Sequence, residues 1–225
     1  MEKLLYQVVL RERVRTRELY KKYLHNADYA KHFMRNHLHG VLIPDGNILC
    51  VGCGMGRIPA MLSNLGKETV ALDKSTFDTW SAIASRFLVA DAEHLPFQSS
   101  LFDLCISLLV LTEVEDDCRV LDEIHRVLNP PGRLFIQVVN RNNLKTKLTG
   151  KLLYEVNKRE YSTEEITRLL GEHGFELLHL NAWGFHSPLF TRLVNGVIGT
   201  RESLFLGSLL PESLRSVISV YAARM

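Results

Sequence analysis

The residues Ile48-Leu49-Cys50-Val51-Gly52-Cys53-Gly54-Met55-Gly56-Arg57 run from an apolar stretch into glycines at alternate positions and then into a helical pattern. Glycine tolerates positive φ and carries no Cβ to hold the backbone off a ligand, so a strand can turn sharply beneath a bound molecule. The loop is expected to hold a cofactor. Its spacing, with glycine at 52, 54 and 56, departs from the G-x-G-x-x-G of dinucleotide-binding turns.

Two acids follow at strand-like ends. Thr69-Val70-Ala71-Leu72 ends in Asp73, seventeen residues beyond Gly56, where a carboxylate could accept hydrogen bonds from both hydroxyls of a ribose, or simply cap a helix in solvent. Phe87-Leu88-Val89-Ala90 ends in Asp91, placed to accept a hydrogen bond from an adenine amino group.

The glycine loop, Val-Ala-Leu-Asp-Lys-Ser (70–75), Ala-Asp-Ala-Glu-His-Leu-Pro-Phe (90–97), Leu-Phe-Asp-Leu-Cys-Ile-Ser-Leu-Leu-Val-Leu-Thr-Glu-Val (101–114) and Val-Leu-Asn-Pro-Pro-Gly-Arg-Leu-Phe-Ile (127–136) stand in an order and spacing that resembles the class I S-adenosylmethionine-dependent methyltransferases. The likeness is to the small-molecule branch called methyltransferase type 11, and it covers residues 40 to 140. The resemblance implies S-adenosylmethionine as cofactor and S-adenosylhomocysteine as product. It places Gly52, Cys53, Gly54 and Gly56 at the methionine side, Asp73 with neighbouring Lys74 at the ribose, Asp91 and Ala92 at the adenine, and Leu108 and Leu109 alongside. The chain departs from the family pattern at two points. Cys50 stands where relatives carry an acid before Val-Gly-x-Gly, and Thr112 and Glu113 stand where many carry histidine.

Methyl transfer from a sulfonium is an in-line displacement, so alignment supplies much of the rate. A general base is needed only if the acceptor must first lose a proton. Glu113 is the first candidate and His186 the second. The alternative readings are a solvated acid at a helix start and a surface histidine before Ser187-Pro188. Tyr20, Tyr23 and Tyr29 are candidates for the pocket wall or for the core.

The elements that position these groups read as one α/β domain. At 225 residues and 46% apolar content, the chain is long enough for one sizeable core with appendages and too short for two enzymatic domains. A net charge of +2 gives no global argument for nucleic acid or a membrane. Cys50, Cys53, Cys105 and Cys118 are not laid out as a disulfide scaffold, and the single C-x-x-C lacks a second pair, so no metal is expected. Neither a secretory leader nor an apolar span of about 20 residues is evident, which implies a cytoplasmic protein without a transmembrane segment.

The alternation of strands and helices implies a doubly wound, Rossmann-like sheet of seven strands, mostly parallel, with the last strand antiparallel beside the sixth. Residues 1–40 read as an N-terminal helical segment and 41–225 as the cofactor-binding domain. Pro59 falls in the first turn of the helix after the glycine loop. Residues 76–86 read as a short helix, and Phe102 to Leu109 as a strand buried on both faces. Asp116 or Asp117 caps a helix carrying Val120, Leu121, Ile124, Val127 and Leu128 on one side, and Asn129-Pro130-Pro131-Gly132 ends it before a strand at Leu134–Val139. Ser162-Thr163-Glu164-Glu165 is a capping box. Strands are expected at Phe175–Leu180 and Val217–Ala222.

Residues 181–216 exceed what a hairpin needs, and their apolar content suggests a helical cap over the substrate pocket or a self-association surface that would make a homodimer. Arg141, Lys145, Lys147, Lys151, Lys158 and Arg159, set against Glu155 and Glu160, suggest an acceptor that is anionic on an apolar body. The leading expectation is methylation of a small-molecule acceptor on oxygen or nitrogen, with no nucleic-acid partner. Methylation of RNA or protein, and a non-catalytic S-adenosylmethionine-binding interaction protein, are the alternatives.

Overall fold

The structure is a computed structural model, which describes residues 41–152, 157–183, 211 and 215–225. The expected N-terminal helices, Tyr20, Tyr23, Tyr29, His186 and nearly all of the proposed cap lie outside these residues.

Seven strands form one sheet: β1 (Ile48–Val51), β2 (Thr69–Asp73), β3 (Arg86–Val89), β4 (Phe102–Leu108), β5 (Leu128–Val139), β6 (Phe175–Trp183) and β7 (Val217–Arg224). Their order is β3-β2-β1-β4-β5-β7-β6. Strands β1 to β5 pair in parallel. Strand β7 runs antiparallel to both β5 and β6, so it alone is reversed. The chain leaves β1 towards β2 on one side and returns at β4 on the other. That reversal opens a crevice at the carboxyl ends of β1 and β4, where open α/β sheets bind ligands.

Among the described residues there are four α-helices: α1 (Arg57–Asn64), α2 (Asp117–Val127), α3 (Leu144–Thr149) and α4 (Thr163–Glu172). Helix α1 buries Ile58, Pro59, Ala60, Met61 and Leu62, of which Ile58, Met61 and Leu62 join Ile48, Cys50, Leu104, Ile106 and Phe135 in the core on one face. The other face packs Val120, Leu121, Ile124 and Val127 of α2 and Ile166 and Leu170 of α4 against Leu49, Val51, Cys105, Leu134 and Ile136. Asp116 caps α2, its side chain accepting from the Arg119 N–H at 2.9 Å. The capping box of α4 is closed in both directions: Ser162 Oγ accepts from the Glu165 N–H at 3.2 Å, and the Ser162 N–H donates to Glu165 Oε2 at 2.8 Å.

Three boundaries differ from the sequence reading. The helix expected over 76–86 is a 3-10 turn, Asp78–Ala82, separated from β3 by a bend at residues 83–85. Its β-branched and aromatic residues are weak helix formers, and Thr79 and Trp80 bond to the glycine loop instead. Asn129-Pro130-Pro131-Gly132 interrupts a strand that has already begun at Leu128. Pairing jumps from Phe102↔Leu128 to Leu104↔Arg133, so these residues bulge out, as prolines without a ladder N–H must. The presumed insertion begins later than 181, because Asn181, Ala182 and Trp183 still pair with β7.

Candidate functional site

A cavity of about 520 Å³ opens at the sheet's topological switch, beyond the ends of β1, β2 and β4. Most of the predicted binding residues meet there: Gly52, Gly54, Asp73, Lys74, Asp91, Ala92, Leu108 and Leu109 line it, together with Glu113. Cys53 and Gly56 do not. Cys53 is buried with the α1-side core, where burial and the nearby Asp73 charge push its thiol up to about 12. Gly56 is the N-cap of α1 at φ 85°, and an added Cβ would stand 2.5 Å from Ile83 Cδ1.

Glycine is required at 52 for a comparable reason. Its φ is +65°, and a Cβ would meet Val110 Cγ2 at 2.1 Å, so the turn after β1 presses directly against the loop after β4. Asp73, at the end of β2, ties these elements together. Its Oδ2 accepts from the Gly54 N–H at 2.8 Å and its Oδ1 from the Ser75 N–H at 3.0 Å. A carboxylate has about four lone-pair sites, so both oxygens retain capacity towards the cavity.

Asp91 sits opposite, accepting from the Glu93 N–H at 3.1 Å and paired with Lys74 at 2.8 Å. The Lys74 hydrogen bond, aided by the Glu93 amide, holds its carboxyl below the usual range. Glu93 was not anticipated. It lines the cavity and its Oε1 accepts from the Glu115 and Asp116 N–H groups at 3.1 and 3.2 Å, linking the loop after β3 to the start of α2.

The loop after β4 begins at Leu109, a non-glycine residue at φ 66°, whose N–H donates to the Gln137 carbonyl at 2.8 Å. A short 3-10 turn, Val110–Thr112, then delivers Glu113 to the cavity wall. Glu113 is exposed to the cavity, and partial desolvation, followed by the charge of Asp73, raises its carboxyl above the ordinary range.

This loop is clamped from outside by residues 157–161. The Lys158 N–H donates to the Thr112 carbonyl at 2.8 Å, and the Tyr161 hydroxyl lies 3.0 Å from the Leu111 carbonyl and 2.7 Å from Asp117 Oδ2. Arg159 is ion-paired with Asp117, and Lys158 with Glu115. Tyr161 carries no local sequence signal for this role, because its partners lie 44 and 50 residues away. Among the described side chains of the basic segment, only Lys158 lines the cavity. Arg141 pairs with Glu165 and donates to the Glu160 carbonyl, and Lys147 and Lys151 are exposed.

The site therefore joins a glycine turn, an acid ending β2, an acid after β3 and a loop after β4 around one crevice. A protein-family profile described as methyltransferase domain matches residues 49–136, which span β1 to the middle of β5. Over these residues the chain carries a methyltransferase domain. Among curated relatives, the methyltransferase domain resembles the mitochondrial arginine-hydroxylase NDUFAF5 of Mus musculus, with 32% identity over 58% of this chain and 42% of that one. It also resembles the malonyl-[acyl-carrier protein] O-methyltransferase of Yersinia pestis, with 29% identity over 43% of this chain and 38% of that one. The chain thus spans less than half the length of these relatives. Among solved structures, an S-adenosylmethionine-dependent methyltransferase from Thermotoga maritima superposes with a TM-score of 0.62 at 21% identity, covering 94% of this chain and 96% of that one. It shares the fold of the methyltransferase domain. No helix among the described residues is long and apolar enough to cross a membrane.

Proposed function

We propose that the chain transfers a methyl group from S-adenosylmethionine to an oxygen or nitrogen of a small-molecule acceptor, with Glu113 receiving a proton where the acceptor must lose one. The observation that carries this reading is the convergence of Gly52, Gly54, Asp73, Asp91 and Glu113 on one cavity at the sheet's switch point.

The residues present fit the cofactor. The cavity volume, about 520 Å³, lies within the roughly 300–1,000 Å³ usual for cofactor-sized ligands. Its wall carries the carboxylates of Asp73, Asp91, Glu93, Glu113 and Glu115 against the ammonium groups of Lys74 and Lys158, an excess of negative charge that suits a sulfonium. A Cβ at Gly54 would meet nothing within 4 Å, so the loop backbone there lies open to a ligand, and Asp73 keeps lone pairs for a ribose diol. In this assignment Gly52 and Gly54 border the methionine part, Asp73 holds the ribose, Asp91 and Ala92 face the adenine, and Leu108 and Leu109 pack alongside.

Bound there, the cofactor supplies an electrophilic methyl group on a positively charged sulfur. The chain's own work is to align that methyl with the acceptor and to keep water away from both. Glu113 suits proton acceptance because a carboxyl raised towards the working pH is a better base than an ordinary one. Lys158 is the sole basic-segment residue at the cavity among those described, and Glu115 already neutralises it, so an acceptor without strong negative charge fits this wall best. The name of the Yersinia relative supports oxygen as an acceptor atom.

The test is release of S-adenosylhomocysteine from S-adenosylmethionine by the purified chain across phenols, carboxylic acids and amines. Acceptor-dependent release that falls at least tenfold in Glu113→Gln supports the reading. Absence of release with every acceptor, together with absence of cofactor affinity, overturns it.

A further inference from the structure

The short connection between β2 and β3 holds the glycine loop from behind. Two consecutive side chains of its 3-10 turn reach back to consecutive carbonyls of that loop: Trp80 Nε1 donates to the Gly54 carbonyl at 2.8 Å, and Thr79 Oγ1 donates to the Met55 carbonyl at 2.7 Å. The indole is itself fixed. It stacks on Phe87 with ring centroids 4.7 Å apart at 14°, and Phe77 tilts against it at 5.8 Å. Phe77 also lines the cavity, whereas Trp80 does not.

The loop has reason to need such support. Three of its residues, Gly52, Gly54 and Gly56, sit at positive φ, and a chain so rich in glycine loses much conformational freedom when it is ordered. The peptide unit is planar and trans, so fixing the Gly54 carbonyl also fixes the Met55 N–H on the opposite edge. Asp73 holds the Gly54 N–H from the other side at 2.8 Å. Gly54 is thus gripped at both its N–H and its carbonyl, by an acid that faces the cavity and an indole behind it.

We infer that Trp80 is a positioning residue of the cofactor site, whose indole N–H, with the Thr79 hydroxyl, holds the glycine loop in its ligand-ready shape and so sets cofactor affinity without touching the cofactor. The inference rests on the reading of the cavity as the S-adenosylmethionine site. Ordering the loop in advance removes a cost that binding would otherwise carry.

The test uses the full chain and S-adenosylhomocysteine. Trp80→Phe keeps an aromatic ring against Phe87 and deletes the N–H; losing one neutral hydrogen bond corresponds to about a threefold to tenfold rise in Kd. Thr79→Val deletes the neighbouring strut and is expected to raise Kd by a similar factor, which keeps the test decisive if Trp80→Phe does not fold. Trp80 and Trp183 are the two tryptophans, so in a Trp183→Phe background the emission reports Trp80 alone. It should shift on titration and saturate at the calorimetric Kd, a signature that core packing alone would not produce. Kd values within twofold of the parent in both variants, with emission unmoved by ligand, overturn the inference while leaving the cofactor assignment standing. A parent chain that binds neither S-adenosylhomocysteine nor S-adenosylmethionine overturns both.

Discussion

Replacing Asp73 by asparagine separates the two tasks given to that carboxylate. Within the protein it accepts from the Gly54 and Ser75 N–H groups, one on each oxygen. Asparagine offers a single oxygen, so one of these donors faces an amide NH2 instead. Losing one hydrogen bond to a charged group, about 2 kcal/mol, lowers the melting temperature of a chain this size by roughly 4–8 °C. Towards the cofactor the loss is larger, because both ribose hydroxyls lose a charged acceptor. At about 1–1.5 kcal/mol each, the sum of about 2–3 kcal/mol raises Kd roughly 30- to 150-fold. Calorimetric titration of the parent and Asp73→Asn chains with S-adenosylhomocysteine, with melts of both unliganded proteins, measures the two effects apart. A Kd within threefold of the parent alongside the expected drop in melting temperature would refute the ribose assignment and leave Asp73 as a loop tie.

Partial desolvation and the Asp73 charge raise the Glu113 carboxyl, so its stabilising contribution is complete below the unfolded value near 4.5 and is lost as pH rises through the folded value. Glu113→Gln, neutral throughout, should therefore melt above the parent at pH 8 and together with it near pH 4, while acceptor turnover falls at least tenfold; equal melting at both pH values would contradict the desolvation argument. Parent turnover of an acceptor that must lose a proton should climb with pH through the raised Glu113 value, a dependence absent in the glutamine variant. Tyr161→Phe strips the hydroxyl from the clamp on the loop carrying Glu113 and leaves the Leu111 carbonyl short of a partner. It should cost about 1–3 kcal/mol in unfolding free energy, and should lower kcat more than it changes the Kd for S-adenosylhomocysteine. Gly52→Ala adds a methyl where Val110 Cγ2 stands 2.1 Å away and forces φ +65° on a residue that resists it. A loss of about 2–4 kcal/mol follows, read as a lower denaturation midpoint together with loss of cofactor binding.

The parts of the fold legible in the sequence are those whose signals are local. The largely buried apolar run of β4, the Asp116 cap of α2 and the Ser162–Glu165 capping box each specify themselves within a few residues, and each stands where its pattern places it. The misreadings share one cause, long-range contact. Residues 76–86 have helical length, yet Thr79 and Trp80 spend their polar atoms on a loop more than twenty residues earlier. The Asn-Pro-Pro-Gly turn is a bulge because Leu128 finds Phe102 before the prolines interrupt the ladder. In the site, the acids at strand ends were legible from spacing. Glu93, two residues past Asp91, carried the faint signal of an acid beside a strand end, whereas the Tyr161 clamp carried none. The glycines at 52 and 56 look alike in sequence but do different work, one beneath the cavity and one capping α1 against Ile83.

The central claim, that the cavity at the sheet's switch point is an S-adenosylmethionine site, is tested most directly by calorimetric titration of the purified chain with S-adenosylmethionine, S-adenosylhomocysteine and NAD. The account predicts that the first two bind at one site per chain, that both weaken in Asp73→Ala and Asp91→Ala, and that NAD does not compete. Binding of NAD in place of the other two, or S-adenosylhomocysteine affinity unchanged in both variants, would contradict it.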